Sequence, residues 1–328
     1  MRVLVLAGAG ALMLTMPITL AIVLVLAIVV TSYQQTIRAY PSGGGSYIVA
    51  SENLGRIPGL VAGASLLTDY VLTVAVSVAA GVAALTSVFP GLFDNRVLLA
   101  VGFVVMLCVG NLRGIRESGT IFSAPAYIYL VAIFSLLGYG LVRYATGSLP
   151  DYTPPAEWAH HAESTSALGI LLILRAFSSG SVALTGVEAV SNGVAAFSAP
   201  EAKHAQRVLI LMGMLFVSIF LGMSFLAGHV GILPDPTERT TVLSQLTSAL
   251  VGQGTVFHYI VQLPTAMLLI LAANTAHARW SRRDWSSEVG RWVHIPPRLS
   301  ESTSMTRAED GDEREPHGYG GAPEVARA

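Results

Sequence analysis

Charged residues are scarce in this sequence. They make up 12% of its 328 residues, whereas about a quarter is usual in soluble domains. Neither sign dominates, because 19 lysines and arginines balance 20 aspartates and glutamates, so the basic surface that binds nucleic acid is not expected. Cysteine occurs once, at Cys108, which excludes a disulfide framework. The eight histidines are scattered, so neither a resident metal nor a cofactor is predicted.

Long apolar runs take the place of charge. The chain is 53% hydrophobic, and its mean hydropathy is +0.61. A membrane-spanning helix needs about 20 mostly apolar residues, and seven stretches approach or exceed that length. They are residues 9–31, 59–89, 97–112, 121–144, 166–196, 206–230 and 254–276. The first is longer than the apolar core of a signal peptide. The sequence therefore predicts an all-α integral membrane protein with about seven transmembrane helices.

Basic residues are concentrated in alternate connections between these stretches. Lysine and arginine occur in the loops 32–58, 113–119 and 198–207 and in the tail after residue 276. Because cytoplasmic loops carry an excess of lysine and arginine, these segments are predicted to be cytoplasmic. We therefore expect a multi-pass protein of the plasma (inner) membrane with a cytoplasmic carboxyl terminus.

The end of the chain differs in composition from the rest. Residues 277–328 are polar, rich in arginine, glutamate, serine and glycine, and without apolar periodicity. Such a composition is typical of disorder. We predict a transmembrane core over 1–276 and a disordered polar cytoplasmic tail over 277–328; a frameshifted reading of the tail is the alternative.

The fifth stretch, 166–196, is interrupted by small polar residues. Ser178, Ser179, Gly180 and Ser181 lie near its centre, and glycine and serine weaken a helix locally. Non-helical backbone at membrane depth is tolerated only where it lines a cavity. Secondary transporters build substrate and ion sites from such broken helices. The stretch therefore predicts a helix unwound near Ser178–Thr185 and points to transport.

The second stretch carries a carboxylate at midspan. Ionisable groups inside a membrane are costly and mark ion or proton pathways by default. Asp69, Thr73 and Ser77 are spaced four residues apart, so their oxygens share one helical face. Together with the phenol of Tyr70, these oxygens suit a dehydrated alkali cation. The alternative is that Asp69 lies at the membrane interface.

A second intramembrane carboxylate, Glu188, follows Thr185 by three residues. A buried carboxyl can carry a proton at neutral pH, which suits a proton-coupling group. The alternative is a structural partner for Arg175, which is 13 positions away and about 20 Å distant along a continuous helix.

Two motifs carry a family resemblance. The 32–58 loop contains Thr36-Ile37-Arg38-Ala39-Tyr40-Pro41-Ser42-Gly43-Gly44-Gly45-Ser46-Tyr47, which resembles the Pro-Gly-Gly-Gly signature of the amino acid–polyamine–organocation (APC) superfamily. It lacks the Gly-Lys-Ser/Thr ending of a phosphate-binding loop, so hinge or re-entrant packing is expected. The second motif is Thr185-Gly186-Val187-Glu188-Ala189-Val190-Ser191-Asn192, followed by Pro200-Glu201-Ala202-Lys203. Together with the segment around Asp69, it is similar to the potassium-importing branch, which includes KUP-type potassium–proton symporters.

The resemblance implies a partial APC/LeuT-like inverted-repeat core over about residues 5–276. It implies potassium ligands at Asp69, Tyr70, Thr73 and Thr185, and a proton-coupling role for Glu188. Potassium and a proton would be the transported species, the lipid bilayer would surround the core, and a homodimer is one assembly open to it.

The resemblance also implies that the family's first helix is absent before Met1 and that further helices are absent after residue 276. We therefore expect a fragment that gives no measurable potassium uptake by itself. Proton-coupled potassium uptake is the leading hypothesis. An amino acid permease of the same superfamily and a truncated, non-transporting remnant are the alternatives. Enzymatic activity is not expected, because no nucleophile–base arrangement or cofactor fingerprint occurs.

Overall fold

The described part of the chain is mostly helical. The computed structural model describes residues 14–41, 43, 45–112, 119–152, 170–181, 185–235 and 237–281, and none of them lies in a strand. Its α-helices are α1 (Thr15–Ala39), α2 (Gly45–Leu54), α3 (Arg56–Val88), α4 (Arg96–Leu112), α5 (Gly119–Ala145), α6 (Ile170–Ser181), α7 (Thr185–Asn192), α8 (Glu201–Val230), α9 (Val242–Val251) and α10 (Val256–Ser281). Short 3₁₀ helices cover Pro90–Asn95 and Val194–Ala196. The tail assigned to 277–328 lies almost wholly outside these residues.

Six helical segments are long and apolar enough to cross a membrane. They are Thr15–Ala39, Arg56–Val88, Pro90–Leu112, Ser123–Ala145, Glu201–Val230 and Val256–Asn274. They correspond to six of the seven apolar stretches in the sequence. The prediction of an all-α membrane protein is therefore confirmed.

The remaining predicted span is the fifth stretch, 166–196. Its described residues form two shorter helices, α6 and α7. Residues Ser178, Ser179, Gly180 and Ser181 lie inside α6, so the predicted unwinding at these four positions is wrong. The reason is packing: a methyl group at position 180 would overlap the side chain of Ile22 on α1. Gly180 therefore permits close contact between helices rather than a break. The remainder of the predicted break falls on residues 182–184, which lie outside the described residues.

The predicted loop 32–58 is also mostly helical. The first helix continues to Ala39, and α2 occupies Gly45–Leu54. We name the connection between them, residues 40–44, the glycine turn. Its brevity keeps α2 close to the end of α1 and, as described below, against α7.

Buried side chains form separate clusters between groups of helices. One cluster joins α5, α8 and α9 through residues that include Leu136, Leu226 and Leu246. A second joins α1, α7 and α8 and includes Leu26, Val190 and Leu209. The second cluster fixes α7, the short helix that carries Glu188, against α1 and α8.

The third and tenth helices pack closely in antiparallel fashion. A methyl group at Gly81 on α3 would lie 3.3 Å from the Ala266 carbonyl oxygen and 3.2 Å from the side chain of Ile270. Farther along, the rings of Phe89 and Tyr259 lie 6.1 Å apart. Small residues at helix contacts let backbones approach closely in membrane proteins. The pairing of α3 with α10 fixes the helix that carries Asp69 and Tyr70.

Large apolar side chains cover much of the outer surface. On α4, Val97 and Leu98 are 70% and 71% exposed, and Val101 and Val105 are more than half exposed. A continuous apolar face of this kind is unusual for a soluble monomer. It suits a helix surrounded by lipid or by other membrane helices.

Candidate functional site

The carboxylate of Glu188 is hydrogen-bonded to the amino-terminal turn of α2. The Ser46 hydroxyl donates to Glu188 Oε1 at 2.6 Å. Ser46 immediately follows the first residue of α2, so the glycine turn determines where this hydroxyl lies. A hydrogen bond to an ionised carboxylate is short and about twice as strong as one between neutral groups. The bond therefore ties α7 firmly to α2.

A tyrosine from the first helix lies at the same carboxylate. The phenol of Tyr33 on α1 lies near both the Ser46 hydroxyl and the Glu188 carboxylate. Tyr33 is half-buried. Three helices, α1, α2 and α7, therefore contribute polar groups around Glu188.

The third helix reaches this site through Tyr70. The side-chain amide of Asn192, the last residue of α7, donates to the Tyr70 hydroxyl at 3.3 Å. Asn192 follows Glu188 by four residues, so both side chains lie on the same face of α7. Tyr70 and Glu188 are thus brought to one region by one short helix.

The glycine turn lies directly on Asn192. Gly43 and Gly45 have φ angles of +82° and +46°, a conformation that glycine adopts readily and other residues adopt at a cost. A methyl group at position 43 would lie 3.1 Å from the Asn192 carbonyl oxygen, and one at position 45 would overlap the Asn192 side chain. Glycine is required here by both the backbone conformation and the close approach of α7.

The predicted site residues are only partly joined by described contacts. Tyr70 and Glu188 belong to the cluster described above. Asp69 and Thr73 are half-buried on α3, and Asp69 makes no hydrogen bond to the described residues. The side chain of Thr185 lies outside the described part of the structure. A cavity shared by Asp69 and Thr185 therefore stays a prediction.

The alternative role of Glu188 is an ion pair with Arg175. Among the described residues, no contact joins these two side chains. Arg175 is exposed on α6, and the hydrogen-bond donor found at Glu188 is Ser46. The local geometry therefore favours a carboxylate that is held by a hydroxyl rather than by a guanidinium.

Sequence reasoning missed Tyr33, Ser46 and Asn192. The one available signal for Asn192 was its spacing of four residues from Glu188, which predicts a shared helix face. Ser46 and Tyr33 gave no comparable signal, because their contact with Glu188 depends on how the glycine turn folds.

A cavity of about 780 Å³ lies elsewhere, between α3, α4, α9 and α10. Its lining is mostly apolar, with Arg96 and Glu238 among the few charged residues. Among the described residues, none of its lining belongs to the Glu188 cluster. We therefore assign the site to the Glu188 cluster, where the polar groups converge.

A separate carboxylate, that of Asp235, is hydrogen-bonded within the connection between α8 and α9. Asp235 accepts hydrogen bonds from the backbone and hydroxyl of Thr237 at 2.8 and 2.6 Å, and from those of Thr240 at 2.9 and 3.1 Å. Burial raises the pKa of Asp235, but these four bonds outweigh burial and hold the pKa below its usual value. Asp235 therefore stabilises a connection rather than forming part of the Glu188 cluster.

Comparison with known proteins bears directly on this cluster. A family model described as amino acid permease matches residues 3–286. The chain belongs to the amino acid permease family. The predicted resemblance to the APC superfamily is therefore confirmed, and the protein is a multi-pass membrane protein of a transporter family rather than an enzyme.

One curated relative of this chain is the potassium transporter KimA of Bacillus subtilis (strain 168). The two sequences are 44% identical over 273 residues, which is 83% of this chain and 44% of KimA. The chain therefore spans less than half the length of this relative. The predicted similarity to a potassium-importing protein is also confirmed.

Proposed function

We propose that this permease takes up potassium and couples its entry to protons. It would work as a secondary transporter in the plasma membrane, surrounded by lipid, with its tail in the cytoplasm and a homodimer as a candidate assembly. The observation that carries the proposal is the hydrogen bond from Ser46 to Glu188, one helical turn from the contact between Asn192 and Tyr70. The similarity to a potassium transporter supports the choice of ion.

The potassium ligands in this proposal are oxygens of α3 and α7. A filter or site for potassium replaces the ion's hydration shell with protein oxygens. The Asp69 carboxylate and the Thr73 hydroxyl lie one turn apart on α3, and Tyr70 is adjacent to Asp69. Thr185 begins α7. The negative charge of Asp69 would compensate the positive charge of a dehydrated ion.

The proton-coupling role of Glu188 follows from its hydrogen bond. An ionised Glu188 accepts a strong, charge-assisted bond from Ser46, whereas a protonated carboxyl accepts a weaker, neutral one. Protonation would therefore loosen α7 from α2 and the glycine turn. In this mechanism, binding and release of a proton change how tightly the helix that carries Glu188 is held.

Amino acid transport is the second candidate function. The observation that favours it is the description of the matching family model, amino acid permease. In such a transporter, the free helix ends near Ser181 and Thr185 would bind the carboxylate and ammonium groups of the substrate. Asp69 would then be dispensable for substrate binding.

Uptake measurements in a potassium-transport-deficient host distinguish these functions. The protein is expressed from its complete reading frame, and uptake of radioactive rubidium is compared with uptake of a panel of amino acids, with and without a proton gradient. Proton-dependent rubidium uptake supports the proposal. Uptake of an amino acid without rubidium supports the second candidate. Absence of both, with normal membrane insertion, would identify a non-transporting remnant.

A further inference from the structure

Asn192 contacts α3, the start of α2 and the glycine turn. Its side-chain amide donates to Tyr70 on α3, its side chain lies against Gly45 at the start of α2, and its carbonyl oxygen lies against Gly43 in the glycine turn. One residue at the end of α7 therefore links the turn to α3.

The first two residues of α2 attach to α7 at two points. Gly45 packs on Asn192, and Ser46 donates to Glu188, which lies one helical turn earlier. An attachment at two points about 6 Å apart restricts both the distance and the rotation of α7 relative to α2. The orientation of the Asn192 amide is therefore set by the same contacts that hold Glu188.

Burial of the Asn192 side-chain amide is energetically unfavourable. Its Oδ1 atom is buried without a hydrogen-bond partner among the described residues, and an unsatisfied buried acceptor is unfavourable by about 1–3 kcal/mol. A buried polar group that is only half satisfied calls for an explanation. The contact that its other atom, Nδ2, makes with Tyr70 provides one.

We propose that Asn192 is a positioning residue that orients the Tyr70 hydroxyl for the transported cation. Because the amide donates to the hydroxyl, the hydrogen bond fixes the position of the phenol oxygen relative to α7. Asn192 also transmits any movement of α7 to Tyr70. This inference rests on the proposed function, since it assumes that Tyr70 is a cation ligand.

Kinetics of rubidium uptake by the complete protein test the role of Asn192. Asn192→Ala and the nearly isosteric Asn192→Asp both remove the donor, and both are expected to raise the half-saturating rubidium concentration about fivefold to tenfold, with a smaller change in maximal rate. Tyr70→Phe combined with Asn192→Ala is expected to be no worse than Tyr70→Phe alone. A half-saturating concentration that is unchanged in both Asn192 variants, or strictly additive effects in the double variant, would overturn the proposal.

The chain offers a matched control. Asn111 also donates its amide across a helix contact, to Asn274 Oδ1 at 2.7 Å, between α4 and α10. Asn111→Ala therefore removes an interhelical amide hydrogen bond away from the Glu188 cluster and the glycine turn, and it is expected to leave rubidium uptake unchanged. A loss equal to that of Asn192→Ala would mean that such bonds act only through stability.

A second measurement separates this inference from the proposed function. If the complete protein carries an amino acid instead of rubidium, the same variants are compared on that substrate. If it carries neither, thermal unfolding of the single and double variants measures the coupling between Asn192 and Tyr70. Failure of rubidium uptake thus rejects the proposed function, whereas absence of coupling in these measurements rejects the positioning role.

Discussion

The Ser46 hydroxyl and the Glu188 carboxylate, 142 residues apart in sequence, are joined by a hydrogen bond of 2.6 Å. The bond connects the first turn of α2 to α7, a helix of only 8 residues. A helix this short has little stability of its own and depends on tertiary contacts. The position of α7 therefore depends on its contacts with α1, α2 and α8.

Ser46→Ala is expected to lower both rubidium uptake and thermal stability, because it removes the hydrogen bond that holds α7 against α2. The lost bond should destabilise the protein by about 1–3 kcal/mol. Initial rates of rubidium uptake and the melting temperature of purified protein measure the two effects. Ser46→Thr retains the hydroxyl, and Ser65→Ala removes an exposed hydroxyl on α3; an equal loss in either variant would contradict the assignment.

Glu188→Gln is expected to remove the dependence of uptake on the proton gradient. The amide keeps the size of the side chain and still accepts from Ser46 but does not exchange a proton near neutral pH. Rubidium uptake with and without a protonophore measures the effect. Arg175→Ala is the control for the ion-pair hypothesis and should retain proton dependence. Equal loss in both variants would favour a structural pairing of the two residues.

Asp69→Asn is expected to abolish potassium-dependent growth of a transport-deficient host, by a loss of at least tenfold in uptake rate. The substitution removes the full charge that compensates a dehydrated cation. Thr68→Ala, at an exposed neighbouring position whose hydroxyl bonds to its own helix, should grow normally. Normal growth of Asp69→Asn would remove Asp69 from the set of ligands.

Gly45→Ala is expected to destabilise the protein by about 1–3 kcal/mol, the cost of a strained backbone conformation, in addition to the overlap with Asn192. The melting temperature of purified protein measures the change. Gly102→Ala, at a helical position in α4 with no neighbour near the added methyl group, is the control and should be neutral or slightly stabilising. Equal melting temperatures for both variants would mean that α2 and α7 are not in close contact.

Asp235→Asn is expected to lower thermal stability at neutral pH, and the difference from the unsubstituted protein should shrink in acid. The folded pKa of Asp235 lies below its usual value, so the stabilising contribution is complete above the unfolded pKa of about 3.9. It is lost as the pH falls through the folded pKa. Melting temperatures at several pH values provide the measurement. Asp94→Asn, at an exposed carboxylate, should show no such dependence.

The membrane helices could be predicted because a spanning helix must be apolar over about 20 residues, and hydropathy measures both properties of a segment. Six of the predicted spans appear with shifted ends, and the largest shift is at α1, which continues through Tyr33 to Ala39. Its polar last turns gave no apolar signal. A helix that extends beyond the hydrocarbon region keeps its internal hydrogen bonds without apolar side chains, so hydropathy alone marks its end too early.

The site was less predictable than the spans. Glu188 and Tyr70 were found because polar groups in an apolar stretch are conspicuous, but Ser46 and Asn192 were not. Their roles depend on a contact between segments about 140 residues apart, and no periodicity encodes such a contact. The role of Gly180 was predicted wrongly for the same reason. The side chain that it leaves room for, Ile22, lies on another helix.

The overlap between position 45 and Asn192 also constrains how this family can diverge. A side chain at position 45 can be accommodated only if residue 192 becomes smaller or α7 moves away. Relatives should therefore exchange these two positions together, and a relative with alanine or serine at position 45 should have lost the asparagine at 192. A comparison of many sequences at positions 45 and 192 would therefore show whether α7 lies against α2 throughout the family.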